Sequence, residues 1–103
     1  MVYRVLVMPS AQADLEEYAD RIALDSEIQA RKWLNGAWNL IFSLAEMPSR
    51  YSISDESPIL NSEIRDVSHF SHRIVFRIIE EDQVVEVLRL WHMARRPISF
   101  EDV

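Results

Sequence analysis

Between Glu63 and Pro97 the chain carries six arginines and all three of its histidines on runs otherwise rich in Val, Ile and Phe. Charged side chains on apolar strands cost stability, so each needs either a partner or a task. An arginine fork fits a phosphate or a carboxylate and can hold negative charge as it develops. A histidine can move a proton near neutral pH. In the run His72–Ile79, alternation puts Ile74, Phe76 and Ile78 on one face and Arg73, Val75, Arg77 and Ile79 on the other. Taking Ile64 as a core residue of the preceding strand sets Glu63, Arg65 and Val67 opposite it. Arg65 and Arg73 are therefore expected to project together from an open sheet face. With His92 they form the candidate catalytic set, and Arg77, Arg89, Arg95 and Arg96 extend the functional face. In the run Val84–Trp91 both parities are apolar, so alternation leaves Arg89 unoriented, and His92 at its end can turn either way. Arg77 and Arg89 also have a structural reading, as partners of acids on neighbouring strands.

The spacing of His69, His72 and His92 suggests no metal site, and no acidic fourth ligand accompanies them. The absence of cysteine excludes disulfides, thiolate metal sites and Cys nucleophiles. Cofactors are not expected. A net charge of −6 argues against general nucleic-acid binding. Within that total, residues 65–96 hold six arginines against five acids, while residues 1–61 hold five basic against nine acidic groups. All basic residues but Lys32 are arginines. The length of 103 residues and an apolar fraction of 49% suit one domain, 1–103, with a substantial core. No secretory signal and no membrane-spanning run is read, and a cytoplasmic location is expected.

The elements that would position these residues read as follows. Val2–Met8 is a β-branched strand candidate ended by Pro9, with Ser10 as the expected N-cap of a first helix. Ala11, Leu15, Tyr18 and Ile22 make its apolar face, with Asp14, Glu16, Glu17 and Asp20 on the remainder. The helix is expected to end near Leu24. Ser26-Glu-Ile-Gln29 forms a capping box for a second helix running to about Met47, where Pro48 stops it. Ala30, Trp33, Leu34, Ala37, Leu40, Ile41 and Leu44 make its stripe. Trp38 and Phe42 fall off that stripe, either as satellite core residues or as exposed anchors for a partner. Arg50–Asn61 reads as a long loop. Strands follow near Ser62–Ser68, His72–Ile79 and Val84–Trp91, the last two joined as a hairpin by Glu80–Gln83. No structure is assigned beyond Met93. The order β-α-α-β-β-β implies an α+β domain with a helical hairpin on one face of a mainly antiparallel sheet, the opposite face being free for function.

In this order and spacing the chain resembles the RelE/ParE superfamily of toxins from bacterial type II toxin–antitoxin systems. The resemblance rests on four pieces spanning about residues 2–96: Ser10-Ala11-x-x-Asp14-Leu15-x-x-Tyr18 after the first strand; Ala30-x-x-Trp33-Leu34 through Leu44 closed by Pro48; Glu63-Ile-Arg65; and the terminal pair His72-Arg73-Ile-Val-Phe-Arg-Ile and Val87-Leu-Arg-Leu-Trp-His92-x-x-Arg95-Arg96. It implies a growth-inhibiting toxin of plasmid-stabilisation type, neutralised by a cognate antitoxin that wraps around it. Trp38 and Phe42 are then candidate antitoxin anchors.

Two activities occur in the superfamily. ParE-like members poison DNA gyrase, and RelE-like members cleave mRNA on the ribosome without a metal. Cleavage needs an activated 2′-hydroxyl, a stabilised phosphoryl charge and a protonated leaving oxygen, for which Arg65, Arg73 and His92 are the candidates. The ending Arg89-Leu-Trp-His92-x-x-Arg95-Arg96 looks ParE-like. His72 stands where an aromatic, usually Tyr, precedes the hairpin arginine, and the acidic charge departs from the basic character of the nucleases. The reading therefore leans to gyrase inhibition, with ribosome-dependent mRNA cleavage as the alternative. A protein-binding module on a decayed toxin fold is the alternative of another class.

Overall fold

A computed structural model of the chain describes residues 2–103. Strand β1 (Arg4–Val7) leads through Met8 into helix α1 (Pro9–Ala23). The expected N-cap at Ser10 is displaced. Met8 is the extended N-cap residue, without a side-chain cap, and Pro9 takes the first helical position. There the missing proline N–H is one the helix would leave unpaired anyway. Helix α2 (Glu27–Ser43) starts at the expected Ser26 N-cap, whose Oγ accepts the Gln29 N–H at 3.2 Å, but the other half of the expected capping box is replaced by a bond from the Ser26 N–H to the Ile22 carbonyl at 2.9 Å. It ends one turn before Met47. A 3-10 turn (Pro48–Arg50) follows, and then α3 (Ser57–Leu60), a single helical turn inside the expected loop. The remaining strands are β2 (Arg65–His69), β3 (His72–Ile79) and β4 (Val84–His92).

The sheet order is β1-β4-β3-β2; β1 runs parallel to β4 and the other pairings are antiparallel. The expected α+β architecture is present, with α1 and α2 packed on one face. Ala11 and Leu15 of α1 and Trp33, Ala37 and Ile41 of α2 bury against Ile74, Phe76, Val85, Val87 and Leu90 of the sheet. Removing this apolar surface from water is the main force holding the hairpin to the sheet.

The second face is not open. Leu60, Ile64, Val75, Trp91 and Ile98 form a separate buried cluster there, supplied by α3, the chain entering β2, and the tail after β4. Tail residue Ile98 is 1% exposed, and a 3-10 turn (Phe100–Asp102) follows it, where the sequence pattern predicts no structure.

A β-bulge at Val75/Phe76 gives β4 one extra residue, Leu88, between Arg89 (opposite Val75) and Val87 (opposite Phe76). Side-chain parity therefore changes along β4: Val85, Val87 and Leu90 face the helices, whereas Leu88 and Trp91 face the tail. No described helix is long and apolar enough to cross a membrane.

Candidate functional site

Arg65 and Arg73 are not brought together. Directly opposed residues of an antiparallel pair point to the same face. Arg65 is paired with Phe76 and so points to the helical side, whereas Arg73, paired with Ser68 and Trp91, points to the other. The shared open face expected from alternation is thus corrected. Strand β2 begins at Arg65, and Ile64, taken as its core residue, belongs to the second cluster.

Each of the two arginines is held by protein acceptors. Arg65 donates to the Ser49 and Tyr51 carbonyls at 3.3 and 2.6 Å and pairs with Glu63 at 3.1 Å. Arg73 binds both oxygens of Glu56 (2.6 and 3.1 Å) and Asp66 (2.8 Å). Glu56 is buried, and its carboxylate also accepts the Ser54 hydroxyl and the Ile98 N–H. Burial alone would raise the Glu56 carboxyl, but the Arg73 and Ile98 hydrogen bonds and the Arg73 charge outweigh it and hold its pKa below the ordinary value. One carboxylate thereby joins α3, the sheet and the tail.

Arg77 pairs across to Glu86 at 2.6 Å, the partner a structural reading gives it. Arg89 sits where β4 has lost its neighbour, since pairing with β1 stops at Val7–Val87. It reaches round the edge to Asp14 of α1, bonding its two oxygens at 2.7 and 2.9 Å, and this bond raises its pKa. Asp14, read from sequence as lying off the apolar face of α1, is 6% exposed. Its position three residues after Ala11 and four before Tyr18 on the buried face was the signal available. Arg96 forms a bidentate pair with Asp102 (2.8 and 3.1 Å), and Arg95 lies 3.7 Å from the centroid of the Trp91 ring. Among the described residues Arg95 has no carboxylate partner.

The three histidines share the helical face, since His69 is paired with His72 and His72 with His92. His69 Nε2–H donates to the Trp33 carbonyl at 2.8 Å. His72 is buried, its ring edge-on to Tyr18 (4.1 Å), His92 (4.9 Å) and Trp33 (5.4 Å), and neither of its nitrogens has a hydrogen-bond partner among the described residues. Burial, with the neighbouring His92 and His69 adding to it, pushes the His72 pKa down to about 4, so the ring is neutral at physiological pH. His92 Nδ1 accepts the Ala94 N–H at 3.0 Å, which leaves Nε2 to carry the proton of the neutral ring.

Two grooves meet at His92. One, of about 520 Å³, has polar walls that include Asp14, Tyr18, Arg21, Arg89 and Arg95; the other, of about 390 Å³, is walled by Ile22, Trp33, Phe70 and His72. Of the candidate set, His92, Arg89 and Arg95 therefore converge, whereas Arg65, Arg73 and Arg77 lie elsewhere. A cation without an acid partner beside an imidazole N–H can bind an anionic group and donate to it. Trp38 and Phe42 stack at 5.6 Å on the far part of α2; Phe42 is 64% exposed, while Trp38 is half-buried against the main core.

A helical hairpin on a four-stranded mixed sheet, its last strands studded with ion-paired arginines, defines a toxin domain of RelE/ParE type. Residues 5–97 match the family described as ParE toxin of type II toxin-antitoxin system, parDE. The chain belongs to this family of toxins. It is similar in fold to a chain of the toxin–antitoxin complex RelBE2 from Mycobacterium tuberculosis, with TM-score 0.63, 22% identity, and coverage of 92% of this chain and 95% of that one. It is likewise similar to a chain of the chromosomal ParDE system from P. aeruginosa (TM-score 0.70, 16% identity, 88% and 96% covered). A third is the archaeal RelE–RelB complex from Pyrococcus horikoshii OT3 (TM-score 0.54, 15% identity, 93% and 100% covered). No curated protein sequence matches the chain.

Proposed function

We propose that this toxin acts in the cytoplasm in the ParE manner, inhibiting DNA gyrase without cleaving nucleic acid, and is neutralised by a cognate antitoxin. The observation that carries this reading is the separation of Arg65 from Arg73. Metal-free RNA cleavage needs charge stabilisation, a base and an acid gathered on one phosphate. Here the two arginines lie on opposite faces, each bonded to protein oxygens. In this reading they are framework residues. The functional surface is the sheet end with His92, Arg89 and Arg95. The charge of −6 adds support, because ribosomal RNA would repel such a chain.

Ribosome-dependent mRNA cleavage is the second reading, favoured by one observation: His92, Arg89 and Arg95 line a common groove. Inducible expression separates the readings. Filamentation with an induced DNA-damage response, together with loss of supercoiling by purified gyrase, supports the first. Cuts inside translated codons with intact supercoiling support the second. Unimpaired growth with soluble folded protein rejects both and leaves a protein-binding module.

For the antitoxin contact, the stacked Trp38–Phe42 pair is the proposed anchor. Its Phe42 ring lines a groove of about 380 Å³ whose walls include Met47 and Arg50. An amphipathic helix laid into such a groove would bury the exposed ring.

A further inference from the structure

After β4 the chain folds back across the second sheet face. Trp91 Nε1–H donates to the Arg96 carbonyl at 2.8 Å, and Ile98 plugs the buried cluster. The Ser99 N–H and hydroxyl then both bond the Asp102 carboxylate, at 2.8 and 2.9 Å, closing the 3-10 turn. That turn aims the carboxylate at Arg96, while the Asp102 carbonyl accepts Arg89 Nη1 at 2.9 Å. Arg89, Arg95 and Arg96 lie 5.0, 3.7 and 5.5 Å from the Trp91 ring centroid, and Asp102 engages two of them, Arg96 through its carboxylate and Arg89 through its backbone carbonyl. Beside it Phe100 and Val103 border a groove of about 220 Å³ floored by Leu60, Ile64 and Leu88, with Arg77 on its wall.

We propose that Ser99–Val103 is an acidic peptide bound in cis to a peptide-docking site, and that a partner's segment pairing an apolar residue with a nearby carboxylate takes the same place in trans. Three observations select that occupant. The strap itself shows which chemistry the surface accepts: a carboxylate on the Arg96 fork and apolar side chains beside an apolar groove. Its apolar side chains are the loosely held part: Phe100 and Val103 are 69% and 51% exposed, whereas the Asp102 carboxylate is 11% exposed against an Arg96 that is itself 58% exposed. A phosphodiester chain is the poorer fit, because the same face presents Glu56, Asp66 and Glu86 next to the arginines. A run of phosphates would meet those carboxylates, whereas one acidic side chain need not. The tethered strap competes at an effective concentration in the millimolar range, so a partner gains access when its segment binds better or when the strap loses its charge.

The test uses the full chain and a fluorescently labelled peptide Ser-Phe-Glu-Asp-Val. Asp102→Asn should bind the peptide about fivefold or more tightly than the wild type, the strap being a weakened competitor. Adding Arg96→Ala to that variant should abolish the gain, and substituting Asn for Asp within the peptide should do the same. In the wild type, saturating peptide should speed hydrogen exchange at the Asp102 amide, which bonds the Ser99 carbonyl in the closed strap. Equal affinity of wild type and Asp102→Asn, binding to neither, or binding indifferent to Arg96 would overturn the proposal. Competition by an oligothymidylate as strong as by unlabelled peptide would overturn it in favour of a phosphodiester ligand. None of these readouts depends on toxicity, so the proposal stands or falls separately from gyrase inhibition.

Discussion

Asp14 on α1 grips Arg89 on β4 with both carboxylate oxygens, and one of those oxygens also accepts the Leu90 N–H at 3.0 Å. This one side chain neutralises a half-buried guanidinium and supplies the hydrogen bond that β1, already ended, no longer provides. It ties the helical layer to the sheet at the rim of the His92 groove.

Replacing Asp14 by Ala should therefore destabilise the fold by about 3–4 kcal/mol, because the change strands a charge and orphans a strand amide together. Asp14→Asn keeps an acceptor for Leu90 and should cost roughly half as much. Urea unfolding of the two variants measures the difference. Equal losses would show that the Leu90 bond contributes nothing.

Arg73 makes a similar case against a purely catalytic role. Its partner Glu56 is buried, so Arg73→Ala leaves an unpaired carboxylate and should lower the melting temperature by about 10 °C or more. Arg95→Ala removes a cation from the Trp91 face and no ion pair, and should shift it by no more than a few degrees. If the sheet end carries toxicity, Arg95→Ala and His92→Gln should relieve growth inhibition at near-native stability. Thermal melts alongside an induction assay test both halves.

His72 should produce a distinct acid limb in stability. Its folded pKa, about 4, is below the ordinary value of 6.5, so the unfolded chain binds the extra proton more readily. The contribution is full above pH 6.5 and is lost as pH falls towards 4, amounting to about 3 kcal/mol over that window. The groups facing the ring are Tyr18 from α1, Trp33 from α2, and His69 and His92 from the neighbouring strands; the Asp14 charge opposes the shift. His72→Phe should flatten the limb between pH 4 and 6.5, leaving the loss below it, where Glu56 and Asp102, both held below their ordinary values by Arg73 and Arg96, take up protons. Chemical denaturation across pH 3–8 checks this.

Gly36, in the middle of α2, would ordinarily be improved by alanine, by roughly 0.5–1 kcal/mol. Here the new methyl would stand 2.7 Å from His69 Cε1, closer than side chains tolerate. Moving the ring breaks its bond to the Trp33 carbonyl in a buried place. The lost bond outweighs the propensity gain, and Gly36→Ala should be destabilising by about 1 kcal/mol or more. A rise in the melting temperature would contradict this packing.

The helical hairpin, the β3–β4 hairpin and the α+β class were legible because each rests on a long periodic run; Ala11-Leu15 and Ile74-Phe76 announce their burial by spacing alone. The site was legible in residue type but not in arrangement. Placing Ile64 inside β2 put the alternation one residue out of phase, and in a strand such a slip moves Arg65 to the wrong face. The bulge that adds Leu88 had no signature in a run apolar at both parities, which is why Arg89 could not be oriented. Ile98 and Glu56 were missed for another reason. One apolar residue in a polar tail, and one acid in a loop, show no periodicity until the tertiary fold gives each a partner.

The parallel pairing of β1 with β4 has a further consequence. Arg4–Val7 find their partners only in Val84–Val87, so the first strand waits for the last. While the chain is being synthesised, α1 and α2 can form, but the sheet they cover cannot close, and the His92 end does not exist. Contacts so distant in sequence form late and slowly. The fold thereby keeps the toxin unassembled until β4 has been made.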